Sequence, residues 1–119
     1  MCEELSNQIV GSFIQVHNEL NGDFLESCYH NALFSELKSA RLNVYYNALF
    51  NVFYRGGAVG EFCADLAVNN KVLIEIKSVR ALSPAHEAPL LNYLHISGCC
   101  VGCMVYFQGV RAVWKRFAV

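Results

Sequence analysis

Asp65, Glu75 and Lys77 are polar residues set in stretches that otherwise read as apolar strands. In Glu61–Val68, Phe62, Ala64, Leu66 and Val68 alternate with Glu61, Cys63, Asp65 and Ala67, so a period of two predicts that Asp65 points away from a Phe62/Leu66 face. In Val72–Val79 the same period sends Glu75 and Lys77 to one side together. An acid and an acid-x-lysine inside apolar strands are costly to bury without partners. Two carboxylates about one ligand sphere apart form a hard-oxygen site suited to Mg²⁺, which takes one or two carboxylates and keeps several waters. A lysine beside them can orient a water or stabilise the charge that develops on a phosphate. The competing reading is a structural ion pair of Asp65 or Glu75 with Lys77 at a sheet edge, since a short ExK string is common.

The elements that must position these residues can be read from periodicity. Ile9, Phe13, Val16 and Leu20 form a helical stripe over Glu3–Leu20, and Asn21-Gly22-Asp23 breaks it, with Gly22 suited to a C-cap and Asp23 to the next N-cap. A second helix is expected from Phe24 to Ala40, burying Leu25, Tyr29, Ala32 and Leu37. Val44–Tyr54 is aromatic and β-branched and ends at the Arg55-Gly56-Gly57 turn. Two more strands, Glu61–Val68 and Val72–Val79, flank Asn69-Asn70-Lys71. Ser83-Pro84 opens a helix that reaches Ile96. Val101–Phe107 and Ala112–Phe117 finish the chain as strands, giving the order α-α-β-β-β-α-β-β.

The register across Asn69-Asn70-Lys71 decides whether the acids meet. A two-residue loop would set Asp65 opposite Ile74, on the face that excludes Glu75. A three-residue loop sets Val68 opposite Val72, Asp65 opposite Glu75 and Cys63 opposite Lys77. Asparagine tolerates the left-handed conformation that such a loop needs, so the three-residue register with a positive φ at or beside Asn70 is expected.

The chain has 119 residues, 55% hydrophobic and 16% charged, which fits one domain, 1–119, with one core. Nine Lys and Arg against ten Asp and Glu leave no basic excess, so any nucleic-acid binding must use a local patch or a metal. The acidic Met-Cys-Glu-Glu start and the lack of a membrane-length apolar run lead us to expect a cytoplasmic protein with reduced thiols and no membrane association. The apolar excess, with Tyr45, Tyr46, Phe50, Phe53 and Tyr54 crowded in one strand, predicts a homodimer.

Several strings recur together in one family. Gly22-Asp23-Phe24-Leu25-Glu26-Ser27-Cys28-Tyr29 carries Gly-x-x-x-Glu-x-x-Tyr. It is followed in order by Ala64-Asp65-Leu66, by Val72-Leu73-Ile74-Glu75-Ile76-Lys77-Ser78-Val79, and by Leu82-Ser83-Pro84-Ala85-His86-Glu87-Ala88 with Leu90-Leu91-Asn92-Tyr93-Leu94. From Ile9 to Phe107 the chain resembles the GxxExxY family of the PD-(D/E)xK nuclease-like superfamily. That resemblance implies an α/β, restriction-endonuclease-like core and metal-dependent hydrolysis of nucleic-acid phosphodiesters. It further implies catalytic Glu26, Asp65, Glu75 and Lys77, with Asp65 and Glu75 holding Mg²⁺ or Mn²⁺. Tyr29, His86 and Glu87 are accessory candidates; the alternatives are a core tyrosine at Tyr29, a solvated helix residue at Glu26, and a capping or orienting role at His86. Two positions depart from the pattern: Pro89 stands where relatives place Gln, and Cys63 where they tend to place a basic residue. Pro89 also lacks a backbone donor, so the third helix is expected to start near it or to bend there. The alternative function is a non-catalytic binding or assembly module that keeps the fold.

His95, Cys99, Cys100 and Cys103 invite a zinc reading. On one strand, Cys100 and Cys103 would point to opposite faces, and Cys99 and Cys103 would lie roughly 13 Å apart. Tetrahedral zinc needs tighter convergence, so these are read as buried thiols.

Overall fold

The computed structural model describes residues 2–77 and 84–118. Helix α1 spans Glu3–Leu20 and α2 spans Glu26–Ser39. Strands β1 (Val44–Tyr54), β2 (Gly57–Val68) and β3 (Val72–Lys77) follow, then helix α3 (Pro84–Ser97) and strands β4 (Val101–Tyr106) and β5 (Val113–Ala118). The five strands form one sheet in the order β1-β2-β3-β4-β5. β3 and β4 are parallel, joined across α3, and the other neighbours are antiparallel. The expected mixed α/β order is therefore present. Every residue of β4 is buried, as a central strand covered on both faces must be.

Two apolar layers sandwich the sheet. On one face Ile9, Phe13 and Val16 of α1 and Tyr29, Leu33 and Leu37 of α2 pack on Leu66, Val68, Val72, Ile74 and Ile76. On the other, Leu90 and Leu94 of α3 pack on Phe62, Ala64, Ala67, Leu73 and Met104. The α1 stripe is the one its spacing predicts. For α2 the buried stripe is Tyr29, Leu33 and Leu37, at intervals of one helical turn; Leu25 is 75% exposed and serves as N-cap, and Ala32 is partly buried. Leu25 is exposed because the helix begins at Glu26, after the turn, and not at Phe24.

The break between α1 and α2 is built differently from the expected Gly22 C-cap and Asp23 N-cap. Asn21 is the C-cap, at φ 61°, and its N–H donates to the His17 carbonyl at 2.7 Å. Gly22 is needed for close approach: a Cβ there would lie 2.7 Å from the Gly109 carbonyl oxygen in the β4–β5 connection. His17 Nε2 also meets that carbonyl, at 2.8 Å. The helical hairpin is thus latched to the far end of the sheet.

The three-residue β2–β3 loop is present. Val68 pairs with Val72 and Leu66 with Ile74, and Asn69 and Asn70 take φ of 53° and 54°, but the pairing stops there, so the expected pairs of Asp65 with Glu75 and Cys63 with Lys77 do not form. The strict alternation expected along β2 does not hold. Leu66 and Val68 face α1 and α2, whereas Phe62 and Ala64 face α3, so Phe62 and Leu66 lie on opposite faces. β1 changes face at the same level: Tyr46 stacks on His30 of α2, while Ala48 and Phe50 pack on the α3 side. The β1–β2 register passes Tyr46↔Leu66 and resumes at Ala48↔Ala64, leaving Asn47 and Asp65 outside it. Asn47, at φ 52°, supplies the backbone reversal.

α3 begins at Pro84 and runs through Pro89 to Ser97, so the expected late start near Pro89 does not occur. Proline removes the N–H that would reach the Ala85 carbonyl. Ser83, Ser78 and Val79, expected as helix cap and strand end, lie outside the described residues.

The Gly22 contact is with backbone and cannot be relieved by a rotamer change. Gly22→Ala is expected to cost about 1–3 kcal/mol. Urea unfolding should show the loss, whereas Gly11→Ala, with nothing within 4 Å of the added Cβ and alanine the better helix former, should be neutral or slightly stabilising.

Candidate active site

Asp65 sits where β2 leaves β3. The ladder ends at Leu66↔Ile74, and the next donor on β3, the Ile76 N–H, is taken by Asp65 Oδ2 at 2.7 Å. A side chain thus replaces the strand, and a notch opens beside Glu75. The Asp65 carbonyl accepts from or faces His30 Nε2 at 2.9 Å, which ties α2 to the same residue. His30 is held in turn by stacking on Tyr46, with centroids 4.0 Å apart, and the Tyr46 hydroxyl donates to Asn31 Oδ1 at 2.7 Å. His30 was not singled out from the sequence; its position one turn after Glu26, on the same helix flank, is the signal that could have found it.

Glu75 is 7% exposed, and its Oε1 is buried without a hydrogen-bond partner among the described residues. Burial, and then the neighbouring Asp65 charge, push its carboxyl up to about 8, with Lys77 pulling the other way. Glu26, on the first turn of α2, is raised in the same direction by burial and Asp65, against the pull of Lys77 and His30. These interactions place Glu26, Asp65, Glu75 and Lys77 within one electrostatic neighbourhood. Glu75 and Lys77 open onto a cleft of about 370 Å³ under α3, walled also by Cys63, Pro89, Tyr93 and Met104.

The accessory candidates divide. Tyr29 is 1% exposed, stacks on Phe107 at 4.8 Å, donates to the Asn21 carbonyl at 2.7 Å and accepts from Phe24 N–H at 3.1 Å. It is a core residue that fixes the turn leading into Glu26. Glu87 is held by Lys115 of β5, whose Nζ lies 2.9 and 3.0 Å from its two oxygens. The side chain of His86 lies outside the described residues.

Among the described residues no group of three or more His, Cys, Asp or Glu converges as a ready metal cage. The donor chemistry nonetheless fits a hard divalent cation: two neighbouring carboxylates, Asp65 with one oxygen on the Ile76 N–H and Glu75 with a buried oxygen that has no partner among the described residues. Mg²⁺ needs no more than two such groups because it retains water. Of the three cysteines read as buried thiols, Cys99 and Cys103 are buried and Cys100 is partly exposed; burial pushes the Cys103 thiol up to about 11.

The sheet, the flanking helices and this acidic notch define a PD-(D/E)XK nuclease fold. The chain matches the family model of the PD-(D/E)XK nuclease superfamily over residues 3–117, and it belongs to that superfamily. It is similar in structure to SSO0001 at TM-score 0.61 and 22% identity, covering 98% of this chain. It spans 59% of SSO0001. An alkaline exonuclease from Laribacter hongkongensis, LHK-Exo, aligns at TM-score 0.56 and 13% identity over 95% of this chain and 68% of its own. The same exonuclease in complex with dAMP aligns at 0.53 and 10% over 95% and 82%. No curated protein matches in sequence. Among the described residues no helix is long and apolar enough to cross a membrane.

The raised Glu75 carboxyl makes stability depend on pH. Between about 4.5 and 8 the folded protein holds a proton that the unfolded chain releases, so stability falls as pH rises through that window. Metal-free protein is expected to lose stability relative to Glu75→Gln from about pH 5 to 8, with the difference levelling above that. Urea midpoints of both proteins across pH would read it; a constant difference would contradict a shifted Glu75.

Proposed function

We propose that this chain is a metal-dependent nuclease of the GxxExxY group within its superfamily, hydrolysing phosphodiester bonds in nucleic acid. The observation that carries the reading is the buried Glu75 oxygen beside Asp65, unpartnered among the described residues, with Lys77 lining the same cleft. Asp65 and Glu75 would hold Mg²⁺ or Mn²⁺, which when bound supplies charge for the scissile phosphate. Lys77 orients the attacking water and offsets charge developing on the phosphate as water adds and the ester oxygen leaves. Glu26 faces the same field from α2 and accepts a proton from that water or its hydrogen bond.

Calorimetric titration of Mg²⁺ and Mn²⁺ tests the site. Wild type is expected to bind, Asp65→Ala to bind neither ion, and Lys77→Ala to bind while its cleavage of labelled DNA or RNA falls at least about 100-fold. No binding at millimolar metal would favour the second reading, a non-catalytic binding module. Pro89 is the observation on that side, because it gives the cleft wall no polar group.

A homodimer is proposed through β1. Among the described residues this strand ends the sheet and pairs only with β2, and it carries no charge or proline over its 11 residues. Leu49, Phe53 and Tyr54 are 68%, 64% and 62% exposed. A long uncharged edge of this kind pairs readily, and a second copy offers an equally uncharged strand, so no ion is desolvated. Light scattering is expected to give twice the 13.3 kDa chain mass, and Leu49→Lys with Phe53→Lys to halve it. A wild-type monomer at micromolar concentration would exclude the dimer.

A further inference from the structure

Tyr93 lines the cleft that holds Glu75 and Lys77, one turn of α3 beyond Pro89. One face of its ring is covered by Phe62, with centroids 3.9 Å apart and planes 3° apart. Phe50 stacks on Phe62 in turn, at 5.0 Å and 17°. The three rings make a column rooted in the α3-side core, where Phe62 is 8% exposed, and Tyr93 is its half-buried end at the cleft.

The charge balance around the cleft bears on what such a ring is for. Of the described lining residues only Lys77 is basic, and Lys115 nearby is tied to Glu87 at 2.9 Å. The whole chain carries a net charge of −1. With no basic excess in the chain, phosphate attraction, the usual source of nucleic-acid affinity, gains from a second source. Base stacking on an aromatic ring is that source where sequence is not read. A duplex keeps its base faces stacked on one another and offers none to a side chain. The cleft, at about 370 Å³, is also at the small end of ligand pockets.

Resting on the nuclease reading above, we propose that Tyr93 is a base-stacking platform. The substrate is an unpaired nucleotide of a single strand, its base on the outer face of Tyr93 and its phosphate towards Lys77. The Phe62–Phe50 column fixes the plane of the platform, so the ring is ordered before the base arrives.

The test measures binding without turnover, in chelator, using a short single strand carrying one 2-aminopurine, and the same strand in a blunt duplex. Wild type is expected to quench the single strand and to bind it more tightly than the duplex. Tyr93→Phe should retain this, whereas Tyr93→Leu should lose the quench and about 5- to 100-fold in affinity. Unchanged Mg²⁺ binding by Tyr93→Leu would show the neighbouring acids intact. If Tyr93→Leu binds and quenches like wild type, or the duplex binds as tightly, the platform is wrong, even where wild type cleaves. If wild type cleaves nothing with Mg²⁺ but Tyr93-dependent quenching is present, the platform stands and the nuclease reading fails.

Discussion

The arrangement depends on one hydrogen bond, from the Ile76 N–H to Asp65 Oδ2. It lets β2 part from β3 without orphaning a buried donor, which would otherwise cost about 1–3 kcal/mol. With the strand gone, Glu75 is left beside a carboxylate where a ladder partner would have stood. The other polar end of Asp65, its carbonyl, is occupied by His30. Both ends are thus fixed, by β3 and by α2, and the helix that carries Glu26 is set relative to the strand that carries Glu75. The latch of Gly22 and His17 onto Gly109 holds the other end of the hairpin.

The β1–β2 ribbon turns over at this same point. Had alternation continued, Phe62 and Ala64 would face α1 and α2, and α3 would lose the aromatic wall that Phe62 provides. The turnover costs one asparagine in the left-handed region, where a β-branched residue would be strained. It lets one pair of strands serve both layers. Cys63 lines the cleft beside Glu75, where burial and then the Asp65 and Glu75 charges raise its thiol.

Much of this was legible in the sequence where local rules suffice. The α1 stripe follows from spacing, and the register of β2 on β3 follows from Asn69 and Asn70, two residues that tolerate positive φ. The acids are neighbours, but not as the cross-strand pair the loop length predicts: Asp65 leaves the ladder after Leu66↔Ile74 and its side chain takes the Ile76 N–H. The face change was not legible, because period two was carried through Asp65. Asn47, a turn-favouring residue inside an otherwise apolar strand, was the available signal. Gly22 looked like a cap because its sequence neighbours are turn formers; its close contact is with residue 109, which no local pattern reveals. His30 likewise acts through a backbone carbonyl 35 residues away. Contacts of that range have no spacing rule.

The electrostatics of the notch link any cation and any phosphate that bind there. Glu26, Asp65 and Glu75 face a single lysine among the described residues of the cleft, so the fully ionised site repels a phosphate. Near neutral pH the proton on Glu75 removes part of that repulsion, and a divalent cation would remove more while displacing the proton. On the proposed function, cation binding should therefore strengthen as pH rises, because the proton competes for the same oxygen. Phosphate affinity should rise with cation occupancy and not with pH alone. The same opposition separates the two readings of the chain. In a binding module the proton on Glu75 is sufficient to keep the notch neutral, and nothing further is required of Asp65. In a nuclease the cost of two adjacent carboxylates is offset only when a cation lies between them.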